Sequence, residues 1–85
     1  MGDLAKVRKS LLDILGIVAP DADLTGLKED KPLREQLEID SMDFLDVMME
    51  LRKRYKIDVP KDDYGNFRTL TDSINYLFER HSDKF

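Results

Sequence analysis

Between Ser41 and Tyr55 the chain keeps an unbroken helical repeat, and this run constrains the fold more than any other stretch. Phe44, Val47, Met48, Leu51 and Tyr55 recur at intervals of three and four and point to one side, into a bundle. Asp43, Asp46, Glu50, Lys53 and Arg54 form a narrow polar face. Met42, Leu45 and Met49 follow i, i+3, i+7 spacing beside the acidic stripe, so the apolar arc is wider than a usual core stripe. An arc this broad on a small domain needs either burial on several sides or a partner, and periodicity alone leaves both open. Asp40-Ser41 stands where the run begins. An Asp or Ser there ordinarily caps an orphan backbone N–H. If Asp40 is the cap, Ser41 takes the first helical position with its hydroxyl free at the positive end of the helix dipole. Such a place suits a phosphate, bound or covalently attached.

The remaining elements are shorter or less regular. Leu4, Val7, Leu11, Leu12, Ile14 and Leu15 predict an amphipathic helix over residues 3–15, capped by Asp3 and stopped by Gly16. Residues 16–39 lack sustained periodicity and carry Pro20, Gly26 and Pro32. A short helical turn over 32–37, started by Pro32, relieves an otherwise long loop. Leu24, Leu27, Leu33, Leu37 and Ile39 are expected to pin that loop to the core. Pro60 opens a short helix over 60–64 that ends at Gly65. Thr69-x-x-Asp72 is a capping-box-like opening for a last helix over 70–81 with Leu70, Ile74, Leu77 and Phe78 on its core face. Ser82 to Phe85 is expected to fray. The fold class is all-α, and the 85 residues allow one domain, 1–85, with a small core: a chain of this size buries about 60% of its unfolded surface.

Composition narrows the function. The net charge of −4 argues against nucleic acid and anionic membranes and favours partners with basic patches. No stretch has the length of a transmembrane helix, and no apolar signal core follows Met1, which predicts a soluble, cytoplasmic chain without membrane insertion. The chain has no cysteine, hence no disulfide framework and no thiol of its own. Asp21-Ala22-Asp23-Leu24-Thr25-Gly26 copies the opening of a calcium-binding loop, but Pro32 falls where the bidentate carboxylate is required. A solvated turn is the better reading, and no metal site is expected. His81, the single histidine, has no acidic or nucleophilic partner at a useful spacing. With no Ser-His pair, glycine-rich phosphate loop or ligand cluster, the chain does not read as an enzyme, and no catalytic residue is assigned.

Asp40-Ser41-Met42, Tyr55-Lys56-Ile57-Asp58-Val59-Pro60, Phe67-Arg68-Thr69-Leu70 and Ile74-Asn75-Tyr76-Leu77 together resemble the acyl carrier proteins, most specifically from Leu37 to Leu77. In that family an Asp-Ser-Leu motif opens the second helix. Met42 here replaces the leucine with a residue of similar volume and apolarity. The resemblance implies a small four-helix carrier-protein bundle, three longer helices and one short, with a long first loop. It implies a covalent 4'-phosphopantetheine on Ser41, attached by a phosphopantetheinyl transferase, whose thiol holds acyl groups as thioesters. Loading ligases or transferases and synthase-type enzymes with basic docking patches would be the partners, and the chain a monomer. Met42, Leu45 and Met49, ringed by Asp40, Asp43, Asp46 and Glu50, would be the docking surface. Phe44, Val47, Met48 and Leu51 would line a shelter for the acyl chain. Two departures from the family stand out. Arg52-Lys53-Arg54 makes the end of the second helix basic, which favours enzymes of a dedicated pathway. Phe44 is larger than the small or polar residue common at its place, which favours short or polar cargo. The expected function is therefore a discrete acyl carrier of a fatty acid, polyketide or specialised lipid pathway. An aminoacyl or peptidyl carrier, or an unmodified helical adaptor in which Ser41 is only a cap, are the alternatives.

Overall fold

A computed structural model of the chain describes residues 3–85. Its order is helix α1 (Leu4–Val18), a 3-10 turn at Leu24–Gly26, the short helix α2 (Leu33–Leu37), α3 (Ser41–Tyr55), a 3-10 segment at Lys61–Phe67, α4 (Leu70–His81) and a last 3-10 turn at Ser82–Lys84. The fold is all-α, as the hydrophobic repeats predict.

α1 begins where Asp3 accepts a hydrogen bond from the Ala5 N–H at 2.8 Å. Val7, Leu11, Ile14 and Leu15 are its buried face, packed against both α3 and α4. The helix does not stop at Gly16. It runs on to Val18, and the stop comes from Pro20, whose ring disfavours helical backbone at Ala19. Gly16 has no left-handed backbone that would mark a terminus.

The connection from α1 to α3 is held by more than its leucines. Leu33 and Leu37 are buried, and Leu24, Leu27 and Ile39 pack partly against the core. The Gln36 side chain clasps the loop backbone: it accepts from Lys28 N–H at 2.8 Å and donates to the Lys28 and Lys31 carbonyls at 2.8 and 3.1 Å. Leu33 N–H donates to the Arg68 carbonyl at 2.8 Å and Thr71 N–H to the Glu29 carbonyl at 3.1 Å, which ties the loop to the start of α4. Glu29 also pairs with Arg8 of α1. In the would-be calcium loop, Asp23 instead caps the turn, accepting from the Thr25 amide and hydroxyl. Those bonds hold its carboxyl below the usual carboxylate range.

Beyond α3, Ile57 and Val59 are fully or nearly buried and lead into the Lys61–Phe67 segment. That segment is a 3-10 coil and longer than the predicted 60–64 helix. Gly65 does not end it, because Phe67, 2% exposed, anchors the coil two residues further on. α4 begins with Thr69 Oγ1 accepting from Asp72 N–H at 3.1 Å. Leu70 and Leu77 are buried as expected, whereas Ile74 and Phe78 are only half-buried and Ser73 and Tyr76 take core places. Both polar groups are satisfied: Ser73 donates to the Thr69 carbonyl at 2.7 Å, and Tyr76 donates to Asp63 Oδ2 at 2.8 Å. Burial first, and the neighbouring Asp63 carboxylate second, push the Tyr76 phenol above its ordinary pKa. The C-terminal residues do not fray. Ser82–Lys84 coils once more, and half-buried Phe85 lies against Tyr55 with ring centroids 4.9 Å apart. An aromatic side chain of this size contributes enough apolar area to hold a short tail in place.

Candidate functional site

The start of α3 is built by two carboxylates. Asp40 is the N-cap, with extended backbone, and its Oδ1 accepts from the Asp43 N–H at 2.9 Å. Asp43 reaches back to the Asp40 N–H at 3.4 Å, closing a capping box. The chain arrives there through Glu38, whose φ of 54° is left-handed and turns the backbone sharply out of α2. Ser41 is thus the first helical residue. It is exposed, and the cap is supplied by its neighbours, not by its own hydroxyl. A primary alcohol on the surface, at the positive end of a fifteen-residue helix, fits an attached phosphate diester.

Downstream, Met42, Leu45 and Met49 are 75%, 45% and 66% exposed, which excludes them from the core of this chain. Asp40 and Asp46 are exposed beside them. Asp43 and Glu50 are half-buried, the first engaged in the capping box and the second accepting from Arg54 Nε at 3.0 Å. Ile17, 53% exposed, adds a further apolar side chain across a shallow cleft of ≈ 630 Å³ between the end of α1 and Met49 of α3. Sequence reasoning missed Ile17 because it ended α1 at Gly16; the hydrophobic run Ile17-Val18-Ala19 before Pro20 was the available signal.

Ser41 also sits on the edge of a second, open groove of ≈ 810 Å³ between α2, α3 and the 61–67 coil. Of the four residues expected to shelter an acyl chain, Phe44 lines this groove. Val47, Met48 and Leu51 do not: they are core residues, 4%, 6% and 0% exposed. Phe44 meets Tyr64 edge to face, ring centroids 5.7 Å apart, so the pair joins α3 to the 61–67 coil. Arg34, Lys61 and Arg68 also line the groove, a cluster that their scattered sequence positions conceal. His81 is half-buried beside the Tyr76 ring, away from Ser41's groove. Among the described residues there is no group of three or more potential metal ligands, and no helix long and apolar enough to cross a membrane.

Comparison with known proteins bears on this geometry. A family model described as the phosphopantetheine attachment site matches residues 5–77, which include Ser41. The chain is 35% identical over 60 residues to the acyl carrier proteins of Rickettsia canadensis (strain McKiel) and Rickettsia massiliae (strain Mtu5), covering 71% of this chain and 70% of each relative. It is 40% identical over 48 residues to the acyl carrier protein of Rickettsia typhi (strain ATCC VR-144 / Wilmington), 56% of either chain. With the attachment-site match spanning most of its length, the chain belongs to the acyl carrier protein family and has 4'-phosphopantetheine as its covalent prosthetic group.

Proposed function

We propose that the chain is a discrete carrier in which Ser41 bears the prosthetic arm and α3 is the face presented to enzymes. The observation that carries this reading is the division of labour at the helix start: Asp40 caps the Asp43 amide, Asp43 reaches back to the Asp40 amide, and the exposed Ser41 hydroxyl is left over for chemistry. In the attachment step the Ser41 oxygen is the nucleophile and gives up its proton to the transferase. It attacks the pantetheine-side phosphorus of coenzyme A, the P–O bond of the pyrophosphate breaks, and adenosine 3',5'-bisphosphate leaves; the resulting phosphodiester lies at the positive dipole end of α3. Once attached, the arm supplies the thiol that this cysteine-free chain lacks. The chain itself then contributes tethering, which raises the effective concentration of cargo at the partner, and recognition.

Recognition falls to Met42, Leu45 and Met49 as apolar anchors, with Asp40, Asp43, Asp46 and Glu50 meeting basic groups of the transferase, loading enzyme or synthase. The basic turn Arg52-Lys53-Arg54 sets this face apart from a uniformly acidic one and favours enzymes of a dedicated pathway over a general fatty acid synthase. Sheltering an acyl chain among Phe44, Val47, Met48 and Leu51 requires that packing to part, so short cargo held outside the core is the better fit.

The test is the intact mass of the protein after incubation with coenzyme A and a broad-specificity phosphopantetheinyl transferase. One phosphopantetheine is expected, and none on Ser41→Ala. A wild-type chain that gains no mass, or a Ser41→Ala chain that still does, overturns the assignment.

A further inference from the structure

We propose that the groove beside Ser41 selects cargo with an anionic far end: a short acyl group whose distal carbon bears a carboxylate, read by Arg34, Lys61 and Arg68. This rests on the carrier reading of Ser41.

Three observations converge. The three cations come from separate segments, namely α2, the start of the 61–67 coil and the link into α4, yet they line one groove. Glu35 is the single carboxylate among the lining residues, so the groove is locally cationic in a chain whose net charge is −4. The two ion pairs among the described residues, Arg8–Glu29 and Arg54–Glu50, use none of the three, which leaves them available to a ligand. The lining also includes Ile39, Phe44, Leu45 and Tyr64, which suits the methylene stem of such a group. Phe44 and Tyr64 pack edge to face at that lining, and Val47 and Leu51 behind them are closed core. A tail lying in the open groove stays partly wet, where an uncharged chain gains little. A carboxylate in this cation-lined groove gains attraction that the uncharged chain lacks. Because Ser41 lines the same groove, the tethered cargo samples it at an effective concentration of about millimolar, so modest attraction suffices to populate the bound arrangement.

The experiment loads the full chain, through a broad-specificity transferase, from two coenzyme A thioesters of equal length. One carries a heptanoyl group and the other a 6-carboxyhexanoyl group labelled with carbon-13 at its free carboxyl. Intact mass establishes loading in both arms; failure to load sinks the carrier reading itself and is distinct from failure of this inference. With loaded protein, NMR titration of the labelled carboxyl is expected to give a pKa about half to one pH unit below that of the same thioester on free coenzyme A. The chain's net negative charge alone would move it the other way. Resonances of Arg34, Lys61 and Arg68 are expected to respond to the carboxylated cargo and not to heptanoyl. An unchanged carboxyl pKa overturns the inference. So does an equal response to both cargoes, which would assign the cations to the phosphodiester of the arm. The triple variant Arg34→Gln, Lys61→Gln, Arg68→Gln should restore the free value. Should that variant fail to fold, raising salt to about 1 M on the wild-type chain replaces it: screening must abolish the displacement, and persistence refutes an ionic origin.

Discussion

Replacing Asp40 with alanine separates the two roles that meet at the start of α3. The change removes an acceptor 2.9 Å from the Asp43 amide and a carboxylate at the positive end of the helix. The reciprocal Asp43 contact, at 3.4 Å, is longer than a good hydrogen bond and contributes little. Loss of an N-cap costs about 1 kcal/mol, and the lost charge-dipole interaction adds about 0.3–1 kcal/mol on an exposed helix end. Asp40→Ala should therefore destabilise the fold by about 1–2 kcal/mol. In a domain of this size each kcal/mol lowers Tm by about 4–8 °C. Ser41→Ala, which removes a hydroxyl that caps nothing, should stay within about 0.5 kcal/mol of wild type. Asp40→Asn keeps a capping oxygen and should recover most of the loss. The assay is urea and thermal unfolding followed by circular dichroism on unmodified protein, with the urea m-value checked for constancy. If Ser41→Ala destabilises as much as Asp40→Ala, the hydroxyl is the cap, and the division of labour proposed above is wrong.

Gly16→Ala should raise stability by about 0.5–1 kcal/mol, because the position is helical and the new Cβ would meet Leu24 Cδ1 at an ordinary 3.6 Å; a drop in Tm would mean the α1–loop contact is tighter than described. Tyr76→Phe should cost about 1–2 kcal/mol near neutral pH by deleting the bond to Asp63. Since folding raises the Tyr76 pKa, the folded state holds its proton more tightly than the unfolded state. That contribution is complete below the unfolded pKa of about 10 and is lost as pH rises through the folded value, so alkaline unfolding should start at higher pH in the phenylalanine variant relative to its own neutral stability. Replacing Met42 and Met49 together with serine should leave Tm nearly unchanged, as both are exposed, while lowering kcat/KM for attachment of the arm by about tenfold or more through KM; an unaltered rate would remove them from the docking face.

The parts of the fold that the sequence predicted are those where apolar periodicity and a cap coincide. α3 was legible from end to end, since Asp40 starts it and Lys56, at φ 57°, ends it where the repeat fades. The boundaries misread were both at glycines. By pattern Gly16 and Gly65 read as stops, yet Pro20 and the buried Phe67 decide where those elements end, and a glycine without positive φ carries no terminating force. Tyr76 was invisible as a core residue because its polar end depends on Asp63, thirteen residues away in sequence. Phe85 was misjudged for the same kind of reason, as its partner Tyr55 lies on another helix. Around Ser41, the exposed methionines could be named from their spacing but not chosen as core or surface. The gathering of Arg34, Lys61 and Arg68 is a product of tertiary packing and had no local signature.

The two backbone hydrogen bonds that join Leu33 to Arg68 and Thr71 to Glu29 have a mechanical consequence. They stitch the strip of chain around α2 to the root of α4, so Arg34 and Arg68 ride on one stiff wall. Any widening of the trough next to Ser41 must then come from the opposite side, by α3 hinging outward and separating Phe44 from Tyr64, while the spacing of those two arginine-bearing segments stays fixed like teeth on a comb.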